Sequence, residues 1–273
     1  MVLKGGSSKE ILFSTYICHP SMANNELSGP LVTAFLYKKI AALKNRKYSY
    51  RFVFVPETIG AISYLFHHGF QMKENVEAGY VVTCVGTTNK FTYKKSRRGN
   101  SMADRVAENI LKHSAPDSSI IEFDVGGSDE RQYCSSGFNM PVGSLMRSVY
   151  KEYKEYHTSL DNKNFISFSA LEESVDMYFQ FVQALELNEK YSNTNPFCEP
   201  MLGKRGLYNY VQHGDISSMK QSLDLLFLLA YADGDTDLVG IAEKRHRSVL
   251  DFVPLVEILL KEKLLSIKHQ RSE

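Results

Sequence analysis

Two histidines and several carboxylates stand in short polar segments, each following an apolar run. His19, Asn25 and Glu26 follow residues 11–17. Glu57 follows residues 50–55, Asp129 and Glu130 come after 119–125, and His157 lies beyond 141–145. Neutral imidazoles and carboxylate oxygens bind zinc, and a further carboxylate can take a proton from metal-bound water. The chemistry that suits these types is metal-assisted hydrolysis. Each position alone has a plainer explanation. A lone histidine after a strand commonly satisfies a hydrogen bond, and a glutamate there complements the positive end of a helix.

The four segments can meet only if the runs before them end on one edge of a sheet. In open parallel sheets, ligands bind beyond the carboxyl ends of the strands. Residues 11–17 (ILFSTYI), 50–55 (YRFVFV), 77–85, 119–125 and 141–145 read as strands. Helical spacing is seen over 30–43, 61–68, 100–113 and 166–185. Strands alternating with helices predict a mostly parallel, doubly wound α/β sheet covered on both faces. This unit is expected over residues 1–187. The stretch 188–200 (NEKYSNTNPFCEP) is polar and broken by prolines, and a linker is expected over 188–203. Helices over 216–231, 236–243 and 248–263, then a strand over 264–267, predict a winged helix within 204–273.

Composition narrows the function classes. The 273 residues suit one large domain or two smaller ones. Thirty-two basic against thirty-one acidic side chains argue against a mainly electrostatic binder of nucleic acid or membrane. No apolar run is long enough for a membrane helix, and residues 1–10 lack the core of a signal peptide. Cys18, Cys84, Cys134 and Cys198 form no CxxC pair and read as reduced thiols of a cytoplasmic protein. Lys94, Lys95, Arg97 and Arg98 read as a solvated basic loop. Ser28 and Gly29 read as the cap of a helix beginning at Pro30. His67 and His68 read as surface residues. The run Lys244 to Arg247 invites a DNA-binding reading, but Glu243 and Asp251 flank it, which favours packing or protein interaction.

From Ile11 to Leu185 the chain resembles the zinc aminopeptidases of the bacterial leucyl aminopeptidase and aminopeptidase Y type. Ser14-Thr15-Tyr16-Ile17-Cys18-His19 is similar to the strand that ends in their first metal histidine. Ala23-Asn24-Asn25-Glu26-Leu27-Ser28-Gly29 resembles their metal-bridging segment, and Pro56-Glu57-Thr58-Ile59-Gly60 their Glu-Glu-x-Gly turn. Ser128-Asp129-Glu130 through Pro141 is similar to their Ser-Asp-His…Gly-x-Pro stretch. Tyr156-His157-Thr158-Ser159-Leu160-Asp161-Asn162 resembles the loop holding the last metal histidine. The strings TYICHPSMANNELSGP and GGSDERQY look typical of an aminopeptidase-like subgroup associated with polysaccharide biosynthesis. Its fuller members carry a winged helix, similar to the segment from Lys204, and an extra N-terminal part. The chain is therefore expected to be N-terminally incomplete.

The resemblance implies Glu57 as general base, metal contacts from His19, Asn25, Asp129 and His157, and substrate contacts from Glu26, Glu130 and Tyr156. Three ligand positions depart from the pattern. Asn25 replaces the bridging aspartate, Thr58 the second glutamate, and Thr83 or Cys84 the strand-end aspartate. So few anionic ligands suit one zinc ion at most. The expected function is a zinc-dependent aminopeptidase-like hydrolase acting on a small peptide or amide-containing substrate, linked to polysaccharide biosynthesis. The alternative is a catalytically degenerate peptidase fold kept as a binding or scaffold module. A third reading is a DNA-binding regulator with a sensor domain. Neither membrane nor nucleic acid is expected as a partner; a homo-oligomer is left open.

Overall fold

A computed structural model describes residues 1–207 and 216–267, with side chains of 216–221 set aside. The chain divides into two compact units, Met1–Glu186 and Leu187–Glu273.

The first unit is built on a seven-stranded sheet. Its strands are β1 (Val2–Leu3), β2 (Glu10–Tyr16), β3 (Ser49–Val55), β4 (Val76–Val82), β5 (Thr92–Lys94), β6 (Ser119–Ile121) and β7 (Val142–Met146). They lie in the order β1-β3-β2-β4-β7-β5-β6. The central strands β3, β2, β4 and β7 are parallel. β1 and β5 join antiparallel, and β6 runs parallel to β5. Helices α1 (Ser28–Ala41), α2 (Ile59–Asn75), α3 (Met102–Ser114), α4 (Glu130–Tyr133) and α5 (Phe168–Leu187) connect them.

Every residue of β2 is buried because successive side chains enter two different cores. Leu12, Val53, Val81 and Val142 pack with Leu65 and Met72 of α2 and Tyr133 of α4. Phe13, one residue along, stacks on Phe52 and Tyr80 and meets the Tyr178 ring of α5 edge-on. Tyr37 of α1 covers Phe52 from the same side. Burial on both faces is why the strand sequences are continuous apolar runs rather than alternating ones.

Several local expectations are corrected. Helix α1 begins at Ser28, preceded by a π-turn over Ala23–Leu27. Ser28 is therefore inside the turn-helix junction and not a cap: its hydroxyl donates to the Asn24 carbonyl and accepts the Val85 N–H at 3.1 Å. Gly29 lies so close to β2 and β4 that a Cβ would meet Thr15 Oγ1 and the Val82 carbonyl at 2.4 Å. The basic run contains strand β5, and Lys94 is buried in an ion pair with Glu130 rather than solvated. The 119–125 strand stops at Ile121. His67 and His68 are exposed, as expected, but α2 runs past them to Asn75 rather than ending at residue 68.

The second unit holds a three-stranded antiparallel sheet in the order β10-β8-β9. These are β8 (Lys190–Asn193), β9 (Asp233–Asp237) and β10 (Leu265–Ile267), with helices α6 (Ile216–Tyr231), α7 (Leu238–Arg245) and α8 (Val253–Lys261). The central strand β8 lies within the stretch expected to be a linker. Only Tyr191 there is apolar and fully buried, so no periodicity announces the strand; pairing on both sides creates it. Strand β9 likewise lies between and partly within the stretches 216–231 and 236–243 that read as helices, and it too exists through its pairing with β8. The first unit is thus a mixed, largely parallel α/β sheet, and the second a set of helices with a small three-stranded antiparallel sheet.

Candidate functional site

Strands β2 and β3 end side by side, and the turns after them form one edge of the site. Pairing continues to Ile17, whose N–H reaches the Val55 carbonyl at 3.1 Å. Beyond it the Cys18 sulfur accepts the Glu57 N–H at 3.1 Å and tethers the two turns. His19 Nε2 then stands 3.8 Å from a Glu57 carboxylate oxygen, an ion-pair distance too long for a direct hydrogen bond. Both side chains are partly open to solvent. Burial lowers the His19 pKa below the usual imidazole value, Glu57 opposes this, and nearby His157 adds to the lowering.

The fourth loop brings His157 to the same place. Its ring lies 5.0 Å from that of His19, centroid to centroid, and stacks on Tyr156 at 3.9 Å. His157 has φ +55°, a conformation few non-glycine residues adopt. Asp161, four residues on, is fully buried. Its two carboxylate oxygens accept the main-chain N–H groups of Asn24 at 2.7 Å and Asn25 at 2.9 Å. The loop bearing His157 is thereby pinned to the turn that follows His19.

The remaining candidates each make hydrogen bonds within the fold. The Glu26 carboxylate accepts the His19 main-chain N–H and shapes the first turn. Asn25 sits in a buried chain in which Thr83 Oγ1 donates to Tyr16, and the Tyr16 hydroxyl donates to Asn25 Oδ1 at 3.4 Å. Cys84 also donates to Asn25 Oδ1, at 3.5 Å, and burial pushes that thiol up to about 11. The Asn25 amide nitrogen is buried with no hydrogen-bond partner.

Asp129 is fully buried. One oxygen accepts the Thr58 N–H at 2.7 Å and the other has no partner. Burial, reinforced by Glu57 and Glu130, raises its pKa to about 7. Thr58 has φ +61°, uncommon for a β-branched residue. The Asp129 bond and an Arg131 guanidinium donating to Thr58 Oγ1 at 3.0 Å hold it there. Glu130 faces inward to Lys94 at 2.9 Å, so its ion partner is Lys94 and not the neighbouring Arg131.

The site therefore brings His19, Glu57, His157 and Tyr156 together at an open edge, with Asp129 buried behind. Among the described residues, no three His, Cys, Asp or Glu side chains converge as a metal-ligand group. The donor set is the reason. Asn25 is a neutral amide with its oxygen engaged, β4 leads into Thr83 and Cys84, Glu26 serves the His19 main chain, and one oxygen of Asp129 is held by the Thr58 N–H. These residues do not fit the two-ion centre that the motif strings imply. Reading motifs also passed over Cys18 and Asp161, which tie the loops together. Asp161 was visible inside the HTSLD string, but its partners lie 136 and 137 positions away.

Residues 1–188 match a family described as a domain of unknown function (DUF4910), and residues 189–267 match a winged helix-turn-helix family. A Clostridium acetobutylicum protein with the provisional name polysaccharide biosynthesis protein with aminopeptidase-like domain is 41% identical over 242 residues. That match covers 89% of this chain and 55% of the relative. The crystal structure of a provisionally named peptidase from Clostridium acetobutylicum superposes with TM-score 0.89 at 36% identity, over 98% of this chain and 59% of that one. A zinc aminopeptidase from Bacillus subtilis shares the fold at TM-score 0.55 and 17% identity, over 67% of this chain and 47% of its own. The chain thus spans about half the length of these relatives.

Proposed function

The chain belongs to the family described as a domain of unknown function, DUF4910, and we propose that its α/β unit is a degenerate aminopeptidase-like module. It binds a peptide or another amide-bearing ligand at the edge formed by His19, Glu57, His157 and Tyr156. The observation that carries this reading is Asn25. Where the motif calls for a carboxylate shared between two metal ions, an amide stands with its oxygen already held by Tyr16 and Cys84. Zinc prefers imidazole, thiolate and carboxylate donors, so an amide is a poor replacement. The name of the Clostridium acetobutylicum relative supplies a setting, polysaccharide biosynthesis. An amide on an amino sugar is a ligand chemistry common to that setting and to a peptidase-type cleft.

A second reading, a hydrolase holding a single zinc ion, has one observation in its favour. His19, Glu57 and His157 converge although their neighbours have changed. In that reading the two histidines contribute to holding the ion and Glu57 receives the proton of the attacking water. Zinc when bound would supply an acidified water and a polarised carbonyl.

For the second unit we favour packing or protein interaction over DNA. Arg245 and Arg247 both pair with Asp224 at 2.8 Å, and Arg247 also reaches Asp251 at 2.8 Å. Those guanidinium groups would have to leave these carboxylates to meet phosphates. No helix among the described residues is long and apolar enough to cross a membrane. Four free cysteines agree with a cytoplasmic setting.

The test is a screen of aminoacyl-arylamides and N-acylated amino sugars, read both as hydrolysis and as calorimetric binding, with zinc counted in the same sample. Binding without turnover supports the module. Turnover that needs one equivalent of zinc supports the second reading and sinks the first.

A further inference from the structure

Helix α2 carries an uncovered apolar stripe. Ala61, Leu65, Gly69 and Met72 are buried against the unit. On the outward side, Ile59 is 73% exposed, Ile62 50%, Phe66 81% and Phe70 80%. The spacing of 3, 4 and 4 places these four residues on one line along the helix, about 16 Å long. From Ile59 to Met72 the sequence holds no Asp, Glu, Lys or Arg. Lys73, just past the stripe, is drawn off to the Gly137 carbonyl at 2.7 Å. The rings are propped in place, Phe70 edge-on against Phe138 and Phe66 against His67.

We propose that this stripe is the interface of a symmetric dimer, in which α2 packs antiparallel against α2 of a second copy. The pattern is complementary to itself. About a twofold axis near residues 64 and 65, Ile59 meets Phe70 of the second copy, and Ile62 meets Phe66. A twofold interface demands this kind of reciprocal fit. The stripe is also aromatic and depleted of charge, as interface cores are, and no like charges meet across the axis. The four side chains expose roughly 600 Å² per copy, already large for one apolar patch on a monomer. Two copies would cover roughly 1,200 Å², the lower end of the range for specific complexes. A helix lying on a membrane surface would carry lysines and arginines beside its apolar face, and this segment has none. The inference does not depend on what the His19 site binds.

The experiment is sedimentation equilibrium of the chain across a wide concentration range, beside three variants whose folding is checked by circular dichroism. The wild type is expected to dimerise. Phe66→Asp, which sets two carboxylates near the axis, is expected to weaken the dimer by about 30-fold or more, the effect of losing an anchor residue. Phe168→Asp, at a residue 86% exposed on α5, is expected to leave it unchanged. In a Cys18→Ser, Cys198→Ser background, Ile59→Cys with Phe70→Cys, which leaves the central Ile62–Phe66 contacts in place and sets the two thiols of one chain about 16 Å apart, is expected to oxidise to a covalent dimer. A chain monomeric throughout, or a dimer that Phe66→Asp leaves intact, overturns the proposal. A dimer dissociated by Phe66→Asp but not cross-linked by the paired cysteines overturns the antiparallel register.

Discussion

Asp161 accepts the main-chain N–H of Asn25 at 2.9 Å with one carboxylate oxygen, while its other oxygen takes the N–H of Asn24 at 2.7 Å. One buried side chain therefore satisfies two consecutive donors of the π-turn and carries the His157 loop with it. Asp161→Ala leaves two buried N–H groups without acceptors, each costing about 1–3 kcal/mol. The expected loss is ~2–6 kcal/mol by urea denaturation, with Asp161→Asn recovering part of it. An Asp161→Ala protein as stable as wild type would show that the turn has other support.

Metal content separates the two functional readings at Asn25. Protein purified without chelator is expected to hold at most one equivalent of zinc by elemental analysis. Asn25→Asp adds an anionic oxygen at the position that is now neutral and is expected to raise zinc uptake. Two tightly bound ions in the wild type would overturn the ligand argument.

Glu57 and His19 are expected to fail differently. If turnover is found, Glu57→Gln keeps the shape, removes basicity and lowers the rate by ~10²–10⁴-fold. Zinc content should then barely change, whereas His19→Ala should lose metal and activity together. If only binding is found, both substitutions weaken it. Turnover left intact by Glu57→Gln would remove Glu57 from the chemistry.

Asp129 predicts a pH dependence whose sign follows from its pKa of about 7. The unfolded carboxyl ionises near 4, so between about pH 4 and 7 the folded state holds the extra proton. Stability then falls as pH rises through that window and levels off above it. Asp129→Asn keeps an acceptor for the Thr58 N–H and cannot ionise. Its melting temperature relative to wild type is expected to climb from pH 4 to 7. A difference that stays flat would mean that Asp129 titrates normally.

Glu130 is expected to matter for stability and not for ligand. Glu130→Gln leaves the Lys94 ammonium buried without its counter-charge, and breaking such a pair costs about 3–5 kcal/mol. Ligand affinity at the His19 edge, measured by calorimetry on the folded fraction, should be unchanged. A loss of affinity with unchanged stability would return Glu130 to the site.

Local pattern was enough to show the α/β alternation, the strands β2, β3, β4 and β7, the long helices and the four site segments. These rest on apolar periodicity and on strings such as TYICHPS and YHTSLDN, which are contiguous in the chain. The replaced carboxylates at Asn25, Thr58 and Thr83 or Cys84 could also be read there, since they are residue identities. Strand β8 could not, because a short polar strand exists only through its pairing on both sides. The same holds for β5, whose lysine, Lys94, looks solvated until Glu130 is brought from 36 positions away to pair with it in the interior. The roles of Cys18, Asp129 and Asp161 were decided only by the tertiary structure. Hydrogen bonding and burial depend on which segments the sheet order places side by side, and that order is a long-range property that no local spacing encodes.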